Sequence, residues 1–216
     1  MTRPQRLVLV AGTATDVGKT WVGGQVLTRL RASGTTVAAR KPAQSADADD
    51  PGPSDAAVLA AATGEPVETV CPPDRWYGIA YAPPMAADAL GLPAPTSAEL
   101  LAELTWPDPA VEVGWLETVG GPRSPIATDG DAVSFATALA PDLVVLVADA
   151  GLGTVNAVLV SLAAFGAPTA RPNTVVVLNR FDPTVDLHRR NLDWLHTREG
   201  LDVVVDLDEL AARVRP

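Results

Sequence analysis

Lys19 and Lys41 are the only lysines among the 16 basic residues of this 216-residue chain; the rest are arginine. Lysine is a compact charge on a thin stem, whereas arginine is a wide planar fork. The pair therefore points to chemistry that tolerates only lysine. Lys19 belongs to Gly12-Thr13-Ala14-Thr15-Asp16-Val17-Gly18-Lys19-Thr20. An apolar run, a glycine turn and a helix beginning at Lys-Thr form an arrangement that cradles phosphates. Successive backbone N–H groups wrap the anion, and the helix N-terminus adds partial positive charge. Lys19 would reach the β- and γ-phosphates of a nucleotide, and the Thr20 hydroxyl would ligate Mg²⁺. Five residues separate Gly12 from Gly18, one more than the strict G-x₄-G-K-[ST] spacing, so Thr13 takes the usual first-glycine position. Asp16 sets a negative charge inside the loop.

Lys41 closes a second apolar run in Arg40-Lys41-Pro42-Ala43-Gln44-Ser45. In an open α/β sheet, ligands bind at the carboxyl ends of strands, which puts Lys41 on the same edge as the glycine loop. A second ammonium there would stabilise charge during phosphoryl transfer; on position alone, a solvated strand-end lysine is the competing reading. Asp55 opens a helix behind the capping Ser54, and Glu117 ends the third core strand before Gly120-Gly121. With Thr20 they make a sufficient Mg²⁺ site, water and phosphate oxygens filling the octahedron. Asp55 is equally readable as a helix N-terminal charge. Asn179 ends an apolar run, where an amide either reads an adenine edge or terminates a strand. Asp149 and Asn156 frame the turn Gly151-Leu152-Gly153, whose glycines suit close backbone approach to a ligand. His188 and His196 share a polar helix and read as solvated.

These residues need a scaffold, and the hydrophobic pattern supplies one. Short apolar or β-branched runs at Leu7–Ala11, Val37–Arg40, Val111–Leu116, Leu143–Ala148, Thr174–Leu178 and Val203–Val205 predict strands. Several lack alternation, as parallel strands buried on both faces do. Helical patterns follow at Lys19–Ala32, Ser54–Thr63, Ser97–Glu103 (capped by Thr96 or Ser97), Thr154–Phe165 and Leu187–Arg198. The alternation predicts a three-layer, doubly wound α/β fold: a mostly parallel sheet with helices on both faces, of the P-loop NTPase type. Nothing marks a second domain, so residues 1–216 read as one. Ala46–Pro53, Pro66–Pro84 and Gly120–Asp131 are rich in Pro, Gly and Asp and read as long loops that carry sites.

Composition removes several classes of function. A formal charge of −10 argues against a general phosphate-backbone binder, so no nucleic-acid partner is expected. One cysteine, Cys71, excludes an intramolecular disulfide framework and a Cys-rich metal site. No stretch approaches the ~20 apolar residues that cross a bilayer. The run after Arg3 and Arg6 is too short for a signal core. A cytoplasmic protein without a membrane partner is the expectation.

Taken together, the motifs resemble those of the dethiobiotin synthetases, ATP-dependent enzymes of biotin synthesis. Gly12-Thr13-x-Thr15-Asp16-Val17-Gly18-Lys19-Thr20 is similar to that family's modified loop. Lys41-Pro42 with Ser45, Ser54-Asp55-Ala56, Pro83-Pro84-Met85-Ala86-Ala87, Glu117-x-x-Gly120-Gly121, Leu152-Gly153-Thr154-x-Asn156 and Leu178-Asn179-Arg180 follow in the family's order, covering roughly residues 5–182. The resemblance implies that CO₂ and a diamine, 7,8-diaminononanoate, are converted to a cyclic urea with ATP and Mg²⁺. It implies that Lys19 and Lys41 stabilise the carbamate and the transferring phosphoryl, and that Thr15 and Ser45 position substrate. Thr20, Asp55 and Glu117 would hold Mg²⁺. The nucleotide would contact Asp16, Val17, Gly18, Lys19, Thr20 and Trp21, then Asp55, Glu117, Thr118, Val119 and Gly120, and finally Asn179 and Arg180. A homodimer with substrate near the subunit interface is implied as well.

The sequence departs from the family pattern at three places. Thr118 and Val119 replace smaller residues and are expected to crowd the turn after Glu117. Ala46 stands where a glycine commonly follows the second-strand motif, and the segment after about residue 199 lacks a Gly-x-Pro loop. Three rival readings are a partitioning or assembly ATPase, an amidotransferase-coupled ligase and a diverged synthetase acting on another diamine. The first usually carries an extra early lysine, absent between Met1 and Lys19. The second needs a nucleophilic cysteine in a glutaminase domain, and Cys71 sits instead in a proline loop.

Overall fold

The computed structural model describes residues 2–47 and 49–216; Ala48, inside the expected Ala46–Pro53 loop, lies outside them. In chain order the elements are β1 (Arg6–Gly12), α1 (Lys19–Ala32), β2 (Val37–Arg40), β3 (Gln44–Ser45), α2 (Asp55–Thr63), α3 (Val67–Val70), β4 (Trp76–Tyr77), α4 (Pro83–Ala89), α5 (Ser97–Glu103), β5 (Val113–Glu117), α6 (Ala132–Leu139), β6 (Leu143–Asp149), α7 (Thr154–Ala164), β7 (Thr174–Asn179), α8 (Asp186–Asp193), β8 (Val203–Val204) and α9 (Leu207–Val214).

Six strands form one parallel sheet in the order β2-β5-β1-β6-β7-β8. Because successive strand residues point to opposite faces, each strand feeds two cores. Val8 and Val10 of β1, Val145 and Val147 of β6 and Trp115 of β5 pack with α1, α2 and α9. Leu7, Leu9 and Ala11, with Val144, Leu146 and Ala148, pack against α5, α6 and α7. Three layers result, which is why the strands read as unbroken apolar runs. The helix after β1 thus covers one face and the helix after β6 the other. Where neighbouring strands send their helices to opposite faces, a crevice opens beyond the carboxyl ends. The glycine loop after β1 sits at that point.

Several boundaries differ from the sequence expectation. Val111–Leu116 is realised as Val113–Glu117, so Glu117 belongs to the strand. The helix expected at Leu187–Arg198 is α8 followed by a π-helical stretch, Trp194–Arg198. The expected loop Pro66–Pro84 holds α3, a 3₁₀ turn at Pro73–Arg75, β4 and the start of α4. β3 and β4 pair in parallel as a small second sheet, Gln44 against Trp76 and Ser45 against Tyr77. Two-residue strands are below the length at which periodicity is readable. Helices α6 and α9 were not among the expected helices. Both carry a start signal, Asp131 and Asp206 accepting backbone N–H bonds at their N-termini. No helix among the described residues is long and apolar enough to cross a membrane.

Candidate active site

Backbone pairing fixes the glycine loop at both ends before any side chain is considered. The Gly12 N–H donates to the Gly120 carbonyl at 3.0 Å, and Thr13 N–H to the Val147 carbonyl at 2.8 Å. The loop thereby hangs between β5 and β6. At its far end Gly18 takes φ 91° and caps α1 without a side-chain bond. The first turn of α1 therefore keeps its orphan N–H groups for a ligand. Asp16 adopts φ 60° without being glycine, a conformation that costs of order 1 kcal/mol and persists when its surroundings hold it. The Arg180 guanidinium supplies part of that hold, donating to the Asp16 carbonyl at 2.9 Å and pairing with Asp149 at 3.1 Å.

Lys19 follows, only 8% exposed. The one hydrogen bond of its ammonium among the described residues is a long 3.5 Å approach to the Ala14 carbonyl. Burial pulls its ammonium below the ordinary lysine range, only partly opposed by Glu117. A buried cation so weakly partnered is poised for an incoming anion, whose charge would restore the ammonium.

Lys41 has the opposite surroundings. It comes directly after β2, its N–H bonded to the Val70 carbonyl at 2.7 Å. Its Nζ lies 2.6 Å from Asp55 Oδ2 and 2.7 Å from Glu117 Oε1. Burial penalises the charge, but the Glu117 and Asp55 carboxylates outweigh it and raise the ammonium above the usual lysine range. Asp55 is depressed below the usual carboxylate range: burial opposes its charge, and Lys41 more than compensates.

Thr20 meets the same two carboxylates. Its hydroxyl lies 2.8 Å from Asp55 Oδ1 and 2.7 Å from Glu117 Oε1. One hydroxyl has one hydrogen to donate, yet two carboxylate oxygens converge on it. The other Glu117 oxygen, Oε2, is buried with no hydrogen-bond partner among the described residues, and Glu117 as a whole is fully buried. Three hard oxygens crowded on one point, with lone pairs in excess of hydrogens, fit a divalent cation such as Mg²⁺.

These groups open into a cleft of about 930 Å³. Thr15, Asp16, Gly18, Ser45, Val119, Gly120 and Arg180 line it together with Lys19, Thr20, Lys41 and Asp55. Other expected contacts lie elsewhere. Val17 is buried in the core beneath the loop, and Trp21 points outward from α1 at 52% exposure. Asn179 is buried, its amide donating to the Val17 carbonyl at 2.9 Å, so it braces the loop from below. Thr118 does not crowd the turn: its side chain faces inward, and its hydroxyl donates to the Val10 carbonyl at 2.8 Å. Val119, partly buried, packs against the second core and still lines the cleft. The Ser45 hydroxyl donates to the Tyr81 carbonyl.

Sequence reasoning did not single out Gln44, Trp76, Tyr77 or Tyr81, all of which line the cleft. The aromatic three arrive through the β3–β4 pairing, which only long-range contact creates. Gln44 had a readable signal, lying between Lys41 and Ser45. Cys71 is wholly buried, and burial pushes its thiol up to about 12, which removes it as a nucleophile at neutral pH. Asp149 accepts the Gly151 N–H at 2.8 Å, closing the turn before α7, and His188 Nδ1 accepts the Asp182 N–H at 3.0 Å.

Comparisons with known proteins bear on the family and the fold. The profile of a protein family described as an AAA domain matches residues 6–214. Over 221 residues the chain is 35% identical to the ATP-dependent dethiobiotin synthetase BioD of Anaeromyxobacter dehalogenans strain 2CP-C, covering 97% of this chain and 94% of that one. It is 34% identical to the protein of the same name from Rhodococcus jostii, covering 92% and 84%. Among solved structures, the signal recognition particle receptor FtsY of Elizabethkingia anophelis superposes with a TM-score of 0.53 at 16% identity. That match covers 97% of this chain and 62% of the receptor. At such identity the likeness is one of fold alone.

Proposed function

Because the chain belongs to the ATP-dependent dethiobiotin synthetase family, we propose that its cleft joins CO₂, a vicinal diamine and ATP through the residues described above. The diamine is 7,8-diaminononanoate. One amine adds to CO₂, forming an N–C bond and releasing a proton, which leaves a carbamate anion. A carbamate oxygen then attacks the γ-phosphorus of ATP; ADP leaves and a carbamic–phosphoric anhydride remains. The second amine attacks that carbonyl carbon and loses a proton. The C–O bond to phosphate breaks, and the cyclic urea closes as inorganic phosphate departs.

Each buried group has work in this sequence. Lys19, short of partners, receives the β- and γ-phosphates, while the bare N–H groups of the loop and of α1 wrap them. Lys41, locked as an ammonium, faces the negative charge that the carbamate and the transferring phosphoryl share. Thr15 and Ser45, which both line the cleft, position the diamine. Thr20, Asp55 and Glu117 hold Mg²⁺, which when bound neutralises phosphate charge. The crowding of carboxylate oxygens on one threonine hydroxyl supports this part of the reading most. A homodimer extends it, supported by the solvent-facing Leu152, 92% exposed, and Val160, 63% exposed, at the start and on the outer side of α7. Sedimentation as a monomer would remove that extension.

The metal assignment has a direct test. Glu117→Gln keeps the shape but lowers the charge at the crowded point. The Mg²⁺ concentration giving half-maximal ATP turnover should rise on the order of 10–100-fold, the range seen when support for a metal site is lost. An unchanged Mg²⁺ requirement would take Glu117 out of the metal site.

A further inference from the structure

Gln44 is 6% exposed and occupies the cleft wall three residues after Lys41. Its Oε1 accepts the Ala56 N–H at 2.9 Å. Since Ala56 can only donate, the orientation of the amide is fixed: oxygen toward α2, NH₂ away from it. Ala56 is the second residue of α2, where the helix leaves N–H groups without internal partners. Ser54 caps the next of these, accepting the Ala57 N–H at 3.2 Å. Gln44 therefore supplies a cap from another strand, and that cap fixes the turn carrying Asp55.

The other end of the amide is unspent. Among the described residues Nε2 makes no hydrogen bond, and it is not one of the buried polar atoms sealed off without a partner, so it opens onto the cleft. A buried carboxamide that has committed its oxygen and keeps two free hydrogens on a cleft is built to receive an acceptor there. The Lys41 ammonium lines the same cleft; Asp55 and Glu117 flank it, and with those carboxylates turned to Mg²⁺, as proposed above, its charge favours an anionic acceptor here. Nucleotide phosphates are already provided for by the glycine loop and Lys19. What remains is a planar carboxyl-type anion on the substrate side.

We propose that Gln44 is a substrate-binding residue whose Nε2 donates to an oxygen of the carbamate. This rests on the synthetase reading. It makes the strand-end segment from Lys41 to Gln44 a two-point clamp, with one charged donor and one neutral donor for the two oxygens of a single carboxyl group. The neutral donor adds direction where a second cation would bind phosphate indiscriminately.

Two variants separate the ends of the side chain. Gln44→Glu keeps an oxygen for Ala56 and removes the donor, whereas Gln44→Met removes both. With ¹³CO₂ and the diamine but no ATP, the enzyme-bound carbamate signal in ¹³C NMR should fall roughly tenfold or more in both variants, the loss expected of a hydrogen bond to a charged group. kcat/KM for the diamine should fall in parallel, and in Gln44→Glu, which keeps the cap on the turn of Asp55, the Kd for Mg·ATP should stay within about twofold of wild type. Gln44→Glu should also melt with the wild-type protein. A Gln44→Glu enzyme with wild-type carbamate signal and kcat/KM would overturn the proposal, leaving Gln44 only its cap. Equal losses in Mg·ATP affinity would overturn it too, because they would trace the effect to Asp55 or to the added charge. Wild-type protein that makes no carbamate and no cyclic urea would instead refute the synthetase reading, and this proposal with it.

Discussion

Replacing Lys41 by Met is expected to lower kcat for cyclic-urea formation roughly 10²–10³-fold, the loss that follows removal of one preorganised donor from a transition state. The same change should lower the melting temperature. Lys41 is 2% exposed and stands between Asp55 and Glu117, the latter with no exposure at all. Taking away one member of a buried pair leaves an uncompensated charge and costs about 3–5 kcal/mol. For a chain of this length that is a fall on the order of 10 °C. Mg²⁺ should recover part of the stability, since it supplies the missing positive charge to the same carboxylates, but not the rate. Lys41→Arg should be nearly as slow, because a wide fork does not fit between two carboxylates spaced for one nitrogen. Stopped-flow product formation and calorimetric melts read both effects; a Met variant within a few fold of wild type would deny Lys41 its role.

Gly18→Ala should act on the other half of the reaction, nucleotide binding. Gly18 sits at φ 91°, and an added Cβ would lie 2.2 Å from Asn179 Nδ2, the atom that donates to the Val17 carbonyl. The substitution therefore brings left-handed strain of about 1–2 kcal/mol and displaces the brace under the loop, worth about another 1 kcal/mol. The strain falls on stability, while loss of the brace predicts an ATP affinity lower by roughly fivefold or more by titration calorimetry. Gly34→Ala is the matched control, with φ 86° but open space around its Cβ position. It should lose comparable stability from strain and keep wild-type affinity. Equal affinity losses in both variants would mean that general destabilisation, not the loop, is being measured.

Much of this site was legible before any coordinates. Lys19, Thr20, Lys41, Asp55 and Glu117 are each tied to a strand end or a helix start by local pattern. Parallel strands bring those ends to one edge whatever the details of packing. What escaped was set by contacts between distant segments. Trp76, Tyr77 and Tyr81 reach the cleft only because β4 pairs with β3, and neither strand is long enough to announce itself. Thr118 read as an obstruction because its bulk was visible and its direction was not; pointing inward, its hydroxyl satisfies the Val10 carbonyl instead. Asn179 reads in sequence as a base contact or a strand end; one of its amide hydrogens braces the Val17 carbonyl, a long-range role that its position at the end of an apolar run does not show. Gln44 lies between Lys41 and Ser45 in sequence, but its role shows only in the bond of its oxygen to the Ala56 N–H of α2.

The central claim is that this cleft fixes CO₂ into a cyclic urea at the expense of ATP. Its most direct test supplies the purified protein with Mg·ATP, 7,8-diaminononanoate and ¹⁴C-bicarbonate, then acidifies. Carbamates and bicarbonate lose their label as gas under acid, whereas a closed urea retains it. The account predicts acid-stable label appearing in step with ADP, one for one, and dependent on the diamine. ATP turnover indifferent to the diamine, with no acid-stable label, would contradict it.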